Sequence, residues 1–248
     1  MNSSEFYKAT QALSSYLRFC KEIGIDELPL GVIKGAADIT DMEKNEISFL
    51  PDSGKLSGLS TAQTLSEIRE ELGDCTRCRL CETRKSIVFG EGNPQARLVF
   101  VGEGPGRDED IKGRPFVGRA GQLLTKIIQA MKLERKDVYI CNVVKCRPPG
   151  NRNPEPDEVA SCEPFLAKQI ESINPEIIVC LGSVATGLML KLKNFRMGQL
   201  RGTFHQYGNS KLMITYHPAA LLRNPSFKKP VWEDMKLVMK ELGIPLSG

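Results

Sequence analysis

Long apolar runs are missing from this chain. None approaches the roughly 18 to 20 residues that cross a bilayer, and the opening stretch MNSSEFYKAT lacks the basic and apolar regions of a secretory signal peptide. Internal repeats are missing as well. These absences disfavour a membrane-spanning or secreted protein, and we expect a cytoplasmic location.

The composition requires a packed core. Of 248 residues, 41% are hydrophobic and 26% are charged, which excludes wholesale disorder, and the length allows one or two domains. The net charge of +4 is uneven: residues 1–60 hold six Lys and Arg against nine Asp and Glu, whereas the remainder holds 28 against 21. The basic part permits a polyanionic partner without requiring one.

Eight cysteines are the most unusual feature of the composition. Three of them stand at intervals of three in CTRCRLCETR, residues 75–84. In a reducing compartment such residues are metal ligands, catalytic thiols or buried small side chains more often than disulfides. The stretch alone does not say which cysteines matter.

Two regions differ in pattern. Residues 3–24 place apolar side chains at spacings of three and four, which predicts an amphipathic helix, and residues 25–59 have the scattered Pro, Gly, Ser and Asp of a connector. We therefore expect an N-terminal extension, 1–60, and a main domain, 61–248. The extension has two open roles, packing on the main domain or docking a protein partner.

The main domain alternates strands with helices. STAQ, from Ser60, predicts a capping box that opens a helix through LSEIREEL. Four β-branched apolar runs follow, separated by helix-like segments: ARLVFVGE (96–103), VYICNVVKC (138–146), EIIVCLGSV (176–184) and KLMITYHP (211–218). This pattern predicts an α/β fold with a central four-stranded parallel sheet flanked by helices on both faces. Ligands of such sheets bind beyond the carboxyl ends of the strands.

Unusual residues follow those strand ends. VGEGPG suggests a dinucleotide loop, but its proline and the acidic RDED after it disfavour that interpretation. Glu103 and Glu109 are instead candidate carboxylates on a rigid loop. Phe116 is either a core residue or a ring that stacks on a planar ligand, and His217 is either a packed histidine or one that its following proline holds at a reactive position.

Three motifs together resemble the family 4 uracil-DNA glycosylases, the iron–sulfur branch of bacteria and archaea. They are GEGPGRDEDIKGRPFVGRAGQLL, CNVVKCRPPGNRNPEPDEVASC and HPAALLR, and the similarity runs from about Leu65 to Leu242. The resemblance implies a uracil-DNA glycosylase-like fold. It also implies a monofunctional DNA repair enzyme that flips uracil out of DNA and hydrolyses its N-glycosidic bond, leaving an abasic site.

The resemblance assigns the cysteines. It implies a [4Fe–4S] cluster on Cys75, Cys78, Cys146 and Cys162 and leaves Cys20, Cys81, Cys141 and Cys180 outside the pattern. The spacing by itself, C-x2-C and later C-x15-C, also suits a four-thiolate zinc site. A cluster would staple DNA-binding loops, because the hydrolysis needs no electron transfer. Arg77, Arg79 and Arg84 are weaker candidates for phosphate contacts.

The resemblance also implies how uracil is bound. Asn142 would donate to O4 and accept from N3–H, Phe116 would stack on the base, and His217 would donate to O2 with help from backbone N–H groups of the GEGPG loop. Glu103 would line the pocket or act electrostatically. Gly104 stands where family 1 enzymes carry a water-activating aspartate.

Further residues complete the predicted site. Glu109 and Asn151 are additional candidates in the pocket. Leu221 and Leu222 would enter the space that the base vacates, with Arg223 on the DNA backbone.

Two alternatives stay open beside this hypothesis. One is a non-catalytic iron–sulfur protein that binds uracil-containing or damaged DNA, which Gly104 motivates. The other is a glycosylase for different deaminated bases. In either case we expect a monomer whose partner is DNA.

Overall fold

The computed structural model describes residues 63–246. The predicted N-terminal helix (3–24), its connector, Cys20 and residues 60–62 of the predicted capping segment lie outside the described residues. The helices are α1 (Leu65–Leu72), α2 (Arg107–Lys112), α3 (Arg119–Ala130), α4 (Pro156–Ile173), α5 (Ser183–Leu190), α6 (Met197–Leu200), α7 (Pro218–Arg223) and α8 (Lys228–Glu241). Short 3₁₀ turns lie at Arg79–Glu82, Pro149–Asn151 and Pro225–Phe227.

A mixed six-stranded sheet forms the centre. Its strands are β1 (Glu91–Gly92), β2 (Leu98–Gly102), β3 (Tyr139–Asn142), β4 (Ile177–Leu181), β5 (Phe204–Tyr207) and β6 (Ser210–Thr215). The order is β1-β3-β2-β4-β6-β5. The four predicted strands are the central ones, and they pair in parallel.

The expected strand number, four, was wrong. β1 and β5 pair antiparallel with the two outer members of the central group. β1 is only two residues long, and β5 (FHQY) is polar and partly exposed, so neither carries an apolar run that periodicity could detect. The predicted α/β class, with a sheet between two helical layers, is confirmed.

Alternate residues of the central strands point to opposite helical layers. On one face Phe100 and Ile140 pack with side chains of α3 and α8, including Leu124 and Met235. On the other face lies a second cluster with side chains of α4 and α5; its strand members include Val99, Val101, Cys141, Ile178 and Cys180. Because both faces are covered, β2, β3 and β4 are buried throughout and read as continuous apolar runs.

The first described helix begins four residues later than the STAQ prediction. Its capping box is formed by Thr64 and Glu67: the Thr64 hydroxyl accepts from the Glu67 N–H at 3.3 Å, and the Glu67 carboxylate accepts from the Thr64 N–H at 2.7 Å. Ile68 and Leu72 of α1 pack against Phe165 of α4. Within residues 63–246, no helix is both long and apolar enough to cross a membrane.

Candidate active site and cysteine cavity

An open cleft of about 590 Å³ lies at the carboxyl edge of the parallel strands. Loops after β2, β3 and β6 form its walls, as expected for a parallel sheet. Its lining includes Glu103, Gly104, Glu109, Phe116, Asn142, Asn151, His217 and Arg223. The structure therefore brings eight of the predicted site residues to one place.

Asn142, the last residue of β3, lies at the bottom of the cleft. It is only 1% exposed, and its Oδ1 is a buried oxygen without a hydrogen-bond partner. Gly102 lies beside it: a Cβ there would come 2.5 Å from Asn142 Oδ1 and 2.5 Å from the ring of Phe116. Because Gly102 has no side chain, the Asn142 amide and the Phe116 ring can both approach its backbone closely. A buried acceptor without a partner is rare in a folded protein and indicates a place for a donor from outside.

Phe116 has a backbone conformation that its neighbours must enforce. Its φ is 52°, which is unfavourable for a bulky residue. Arg135 donates to the carbonyls of Pro115 at 2.8 Å and Phe116 at 3.1 Å. The ring is 6% exposed and lies 5.6 Å from the ring of His217, centroid to centroid. Two aromatic rings therefore border the space above Asn142.

Glu109 holds the same loop from the other side. Its Oε1 accepts the N–H groups of Val117 and Gly118, both at 2.8 Å. This carboxylate therefore holds the residues directly after Phe116, and only its second oxygen is left to face the cleft. Its described contacts are those of a residue that positions the loop.

His217 follows β6 and caps α7. Its Nδ1 accepts the N–H of Ala219 at 3.1 Å, so Nε2 carries the proton of the neutral ring and is the nitrogen that can donate. Burial is the main cause that lowers the pKa of His217 to about 4; the charge of Arg223 acts in the same direction and Glu109 acts against both. The imidazole is neutral at physiological pH.

Glu103 and Gly104 form the wall that follows β2. Burial raises the pKa of the Glu103 carboxyl. A Cβ at Gly104 would lie 2.8 Å from Cγ2 of Val144, so this position excludes a larger side chain unless the valine moves. Asn151 lies across the cleft in a left-handed conformation, and its Oδ1 accepts from Arg147 Nε at 2.8 Å.

Of the two leucines predicted to enter the DNA, Leu221 is buried and Leu222 is exposed. Leu221 is 2% exposed and belongs to the core between the sheet and α8, so it is not available at the surface. Leu222 is 42% exposed, and Arg223 is exposed beside the cleft. A short helix with one buried face can present only one of two consecutive leucines to solvent.

A second, much smaller cavity of about 10 Å³ lies beside the cysteine-rich segment. Its lining includes the four predicted ligands, Cys75, Cys78, Cys146 and Cys162, but not Cys81. Cys141 and Cys180 are buried in the sheet core instead. Within residues 63–246, no three side chains of Cys, His, Asp or Glu lie close enough to hold a single metal ion.

Three of the four sulfurs accept hydrogen bonds. Arg77 donates to Cys75 Sγ at 3.3 Å, Arg84 to Cys146 Sγ at 3.6 Å, and the Lys145 N–H to Cys162 Sγ at 3.3 Å. Such donors surround anionic sulfur in metal–thiolate sites.

Burial opposes a thiolate when no metal is bound. It raises the pKa of the Cys146 thiol to about 12 and also raises the pKa values of Cys78 and Cys162. Binding of a metal group would displace these protons. The donor set and its surroundings therefore fit a thiolate-ligated group.

The arginines near this cavity have structural partners. Arg84 donates to the Cys75 carbonyl at 2.7 Å, pairs with Asp74, and has a side chain that is 8% exposed. Arg79 pairs with Asp157 at 2.8 Å, and Arg77 is committed to the cysteine segment. The predicted phosphate contact is wrong for Arg84, because its guanidinium is buried.

Lys145 and Gln169 were missed by the sequence analysis. Both are buried, and the lysine Nζ donates to the glutamine Oε1 at 2.6 Å. A lysine inside the apolar run VYICNVVKC was the available signal, because a charged residue in a buried strand segment needs partners.

Comparison with known proteins shows the family of this chain. The model of the "Uracil DNA glycosylase superfamily" matches residues 89–236, which include the cleft and two of the four cavity cysteines. The chain therefore belongs to the uracil-DNA glycosylase superfamily.

Several of its similar proteins are type-4 uracil-DNA glycosylases. It is 48% identical over 186 residues to the type-4 uracil-DNA glycosylase of Saccharolobus solfataricus, covering 72% of this chain and 86% of that one. It is 49% identical to the type-4 enzyme of Thermotoga maritima, covering 71% and 94%. For the type-4 enzyme of Archaeoglobus fulgidus the values are 43%, 71% and 92%.

The environment of His217 predicts an unusual titration. With its pKa lowered from 6.5 to about 4, the ring should stay neutral from about pH 8 to about pH 5. The unfolded chain takes up this proton more readily, so His217 should reduce stability as the pH falls from 6.5 towards 4. NMR titration of imidazole resonances, assigned with a His217→Asn variant, measures the midpoint. A midpoint near 6.5 would contradict the structural assignment.

Proposed function

We propose that this protein is a monofunctional uracil-DNA glycosylase, which flips uracil out of DNA and hydrolyses its N-glycosidic bond in base excision repair. The observation that carries the proposal is the unpartnered Oδ1 of Asn142, buried opposite Gly102 and bordered by Phe116 and His217. The space can take a flat ring whose edge offers an N–H to that oxygen. A base in a duplex must leave the stack to reach it.

Asn142 supplies the selectivity. Its Oδ1 would accept the N3–H of uracil and its Nδ2 would donate to O4. Cytosine presents an acceptor at N3 and a donor at its exocyclic amine, which is the reverse pattern, so both contacts would be lost. An unmade hydrogen bond in a buried site costs more than a made one contributes, and this favours uracil strongly. Phe116 would cover one face of the base.

Departure of the base requires stabilisation of its negative charge. His217 is placed for this, because its Nδ1 is occupied by the Ala219 N–H and its Nε2–H is free to donate to O2. A neutral imidazole can donate to the leaving base without carrying a charge into the buried site. The backbone N–H groups of the loop from Glu103 to Gly106 would add to the same stabilisation.

The sugar develops positive charge as the bond breaks. Glu103 lines the cleft and would stabilise this charge when ionised. Gly104 supplies no carboxylate, and a side chain at this position would require Val144 to move. Leaving-group stabilisation by Asn142 and His217 would therefore contribute most of the rate, with water as the nucleophile.

DNA contacts would come from the helix that follows His217. Leu222 is exposed and directly precedes Arg223, which lines the cleft. Leu222 would fill the space left by the flipped nucleotide, while Arg223 would contact a phosphate. Leu221 would support this helix from the core.

We further propose that Cys75, Cys78, Cys146 and Cys162 hold a [4Fe–4S] cluster. Its contribution would be structural, as a cross-link between the cysteine-rich segment, the loop after β3 and α4. The support is the common cavity and the donors on three sulfurs. Zinc is the competing occupant that the donor chemistry also permits.

The remaining expectations become part of the same proposal. Residues 61–248 would carry the whole activity, because the proposed site residues lie between 75 and 223. The protein would act as a cytoplasmic monomer. Residues 1–60 would be an accessory segment.

The activity is tested with a labelled oligonucleotide that contains one uracil. After incubation with the protein and heating in alkali, strand breakage at the uracil is expected, and an otherwise identical cytosine strand should stay intact. Binding without breakage would support the non-catalytic alternative and overturn the enzymatic proposal.

Asn142→Asp tests the reading of the base. The carboxylate keeps an acceptor but loses the donor for O4, so uracil excision should fall roughly 100-fold. An acceptor at this position also suits the amine of cytosine, so excision from C·G duplexes should rise relative to wild type. Unchanged selectivity between U·G and C·G duplexes would contradict the assigned role.

Leu222→Ala tests the wedge. Excision from duplex DNA should fall about tenfold, while excision from a single strand should change little, because a single strand has no stacked partner to replace. Leu237→Ala on α8 is the matched control, an exposed leucine of similar exposure away from the cleft. Equal losses on both substrates would contradict a role in base flipping.

The two neighbouring cysteines test the cluster. Cys78→Ala should remove the iron and the broad visible absorption of thiolate-bound iron, whereas Cys81→Ala should keep both. Metal analysis and visible spectra of the purified proteins measure this. A colourless wild-type protein with one zinc per chain would overturn the iron–sulfur part alone.

A further inference from the structure

A buried lysine links the base-reading asparagine to α4. Lys145 is 1% exposed, and its Nζ donates to the Asn142 carbonyl at 2.7 Å and to Gln169 Oε1 at 2.6 Å. Neither partner is a carboxylate. A buried ammonium held only by neutral oxygens is costly, and the same packing could have been made by an apolar side chain.

The surrounding polar groups form a complete network. Gln169 is fully buried, and its Nε2 donates to the Phe89 carbonyl at 3.0 Å and to the Tyr139 hydroxyl at 3.3 Å. The carbonyl of Lys145 accepts the N–H of Val88 at 2.8 Å. The groups of this network come from three separate segments of the chain. The ammonium of Lys145 is therefore held in one position.

This position matters because the Asn142 side chain has little else to orient it. Its Oδ1 is unpartnered, so the direction of the amide depends on its backbone. On the far side of that backbone the carbonyl is held by Lys145, and the next N–H, of Val143, donates to Gly102 at 2.9 Å. The side-chain amide of Asn142 and the ammonium of Lys145 therefore lie on opposite sides of the backbone at the end of β3.

The same lysine lies next to the cysteine cavity. It immediately precedes Cys146, and its backbone N–H donates to Cys162 Sγ at 3.3 Å. Its positive charge favours the ionised form of the Cys162 thiol, which partly opposes the pKa-raising effect of burial. An anionic thiolate group in the cavity would in turn compensate the buried ammonium.

We propose that Lys145 is a positioning residue for uracil recognition: it fixes the end of β3 so that the amide of Asn142 faces the base. The inference rests on the proposed function. In this proposal the buried network of Lys145 and Gln169 stabilises the pocket. The network lies between the cleft and the cysteine cavity.

Two variants test this role. Lys145→Met keeps the length of the side chain but removes all donors. Lys145→Met/Gln169→Leu removes the unpaired glutamine oxygen as well, together with the donors to Phe89 and Tyr139, so its stability should differ from that of the single variant while the contact to Asn142 is absent from both. Lys126→Met, an exposed lysine on α3, is the control.

The measurements separate positioning from folding. Thermal melting reports stability, iron content and reduction potential report the cysteine site, and binding is measured for free uracil and for DNA with an abasic site, which lacks the base. In both variants the affinity for uracil should fall about tenfold or more, whereas the affinity for abasic DNA should stay within about twofold of wild type. The reduction potential should fall, because a positive charge near the cluster favours its reduced state.

Each other outcome has a defined meaning. Unchanged uracil affinity, an equal loss for both ligands, or failure of both variants to fold would overturn the inference and leave Lys145 a structural residue. Absence of uracil binding and excision in the wild-type protein would instead overturn the proposed function. The two failures are therefore distinguishable.

Discussion

The parallel pairing of β2 with β3 is the constraint on which the cleft depends. Its register sets Gly102 opposite Asn142, at the last residue of each strand. The glycine lets Asn142 and Phe116 approach the end of β2 closely, and the asparagine provides a buried oxygen without a hydrogen-bond partner. A shift of one residue would turn both positions to the other face of the sheet, so the pocket and the packing of the core are specified by the same hydrogen-bond ladder.

Phe116 and His217 are held in place by neighbouring groups. Phe116 keeps a conformation that costs free energy, and its loop is held by Glu109 on one side and Arg135 on the other. His217 is fixed by the helix that it caps. Phe116 thus lies in a loop, and the groups that orient this loop are two charged side chains with two backbone partners each.

The sequence predicted the centre of the fold better than its edges. The four central strands are buried on both faces and therefore appear as apolar runs, whereas β1 and β5 are short or polar. Leu221 and Leu222 could not be separated by type, because only the packing of α7 decides which one is buried.

The polar contacts across the sheet were harder to predict. Lys145 stood out within an apolar run, yet its partner Gln169 lies 24 positions away on α4, and no local pattern connects them. Arg84 was misassigned for the same reason: the sequence shows a basic residue, but only the fold shows the carbonyl and the sulfur that occupy it. Asn142 and His217 were selected because their motifs resemble those of a known family. The local sequence alone does not predict how their side chains are arranged.

The raised pKa values at the cysteine cavity affect how easily its thiols are oxidised when no metal group is bound. Oxidants attack thiolates far faster than thiols. Since burial keeps Cys78, Cys146 and Cys162 protonated, a newly folded chain presents few reactive sulfurs even though they lie near one another. The cavity would thus protect the proposed ligands from premature cross-linking until a metal group displaced their protons.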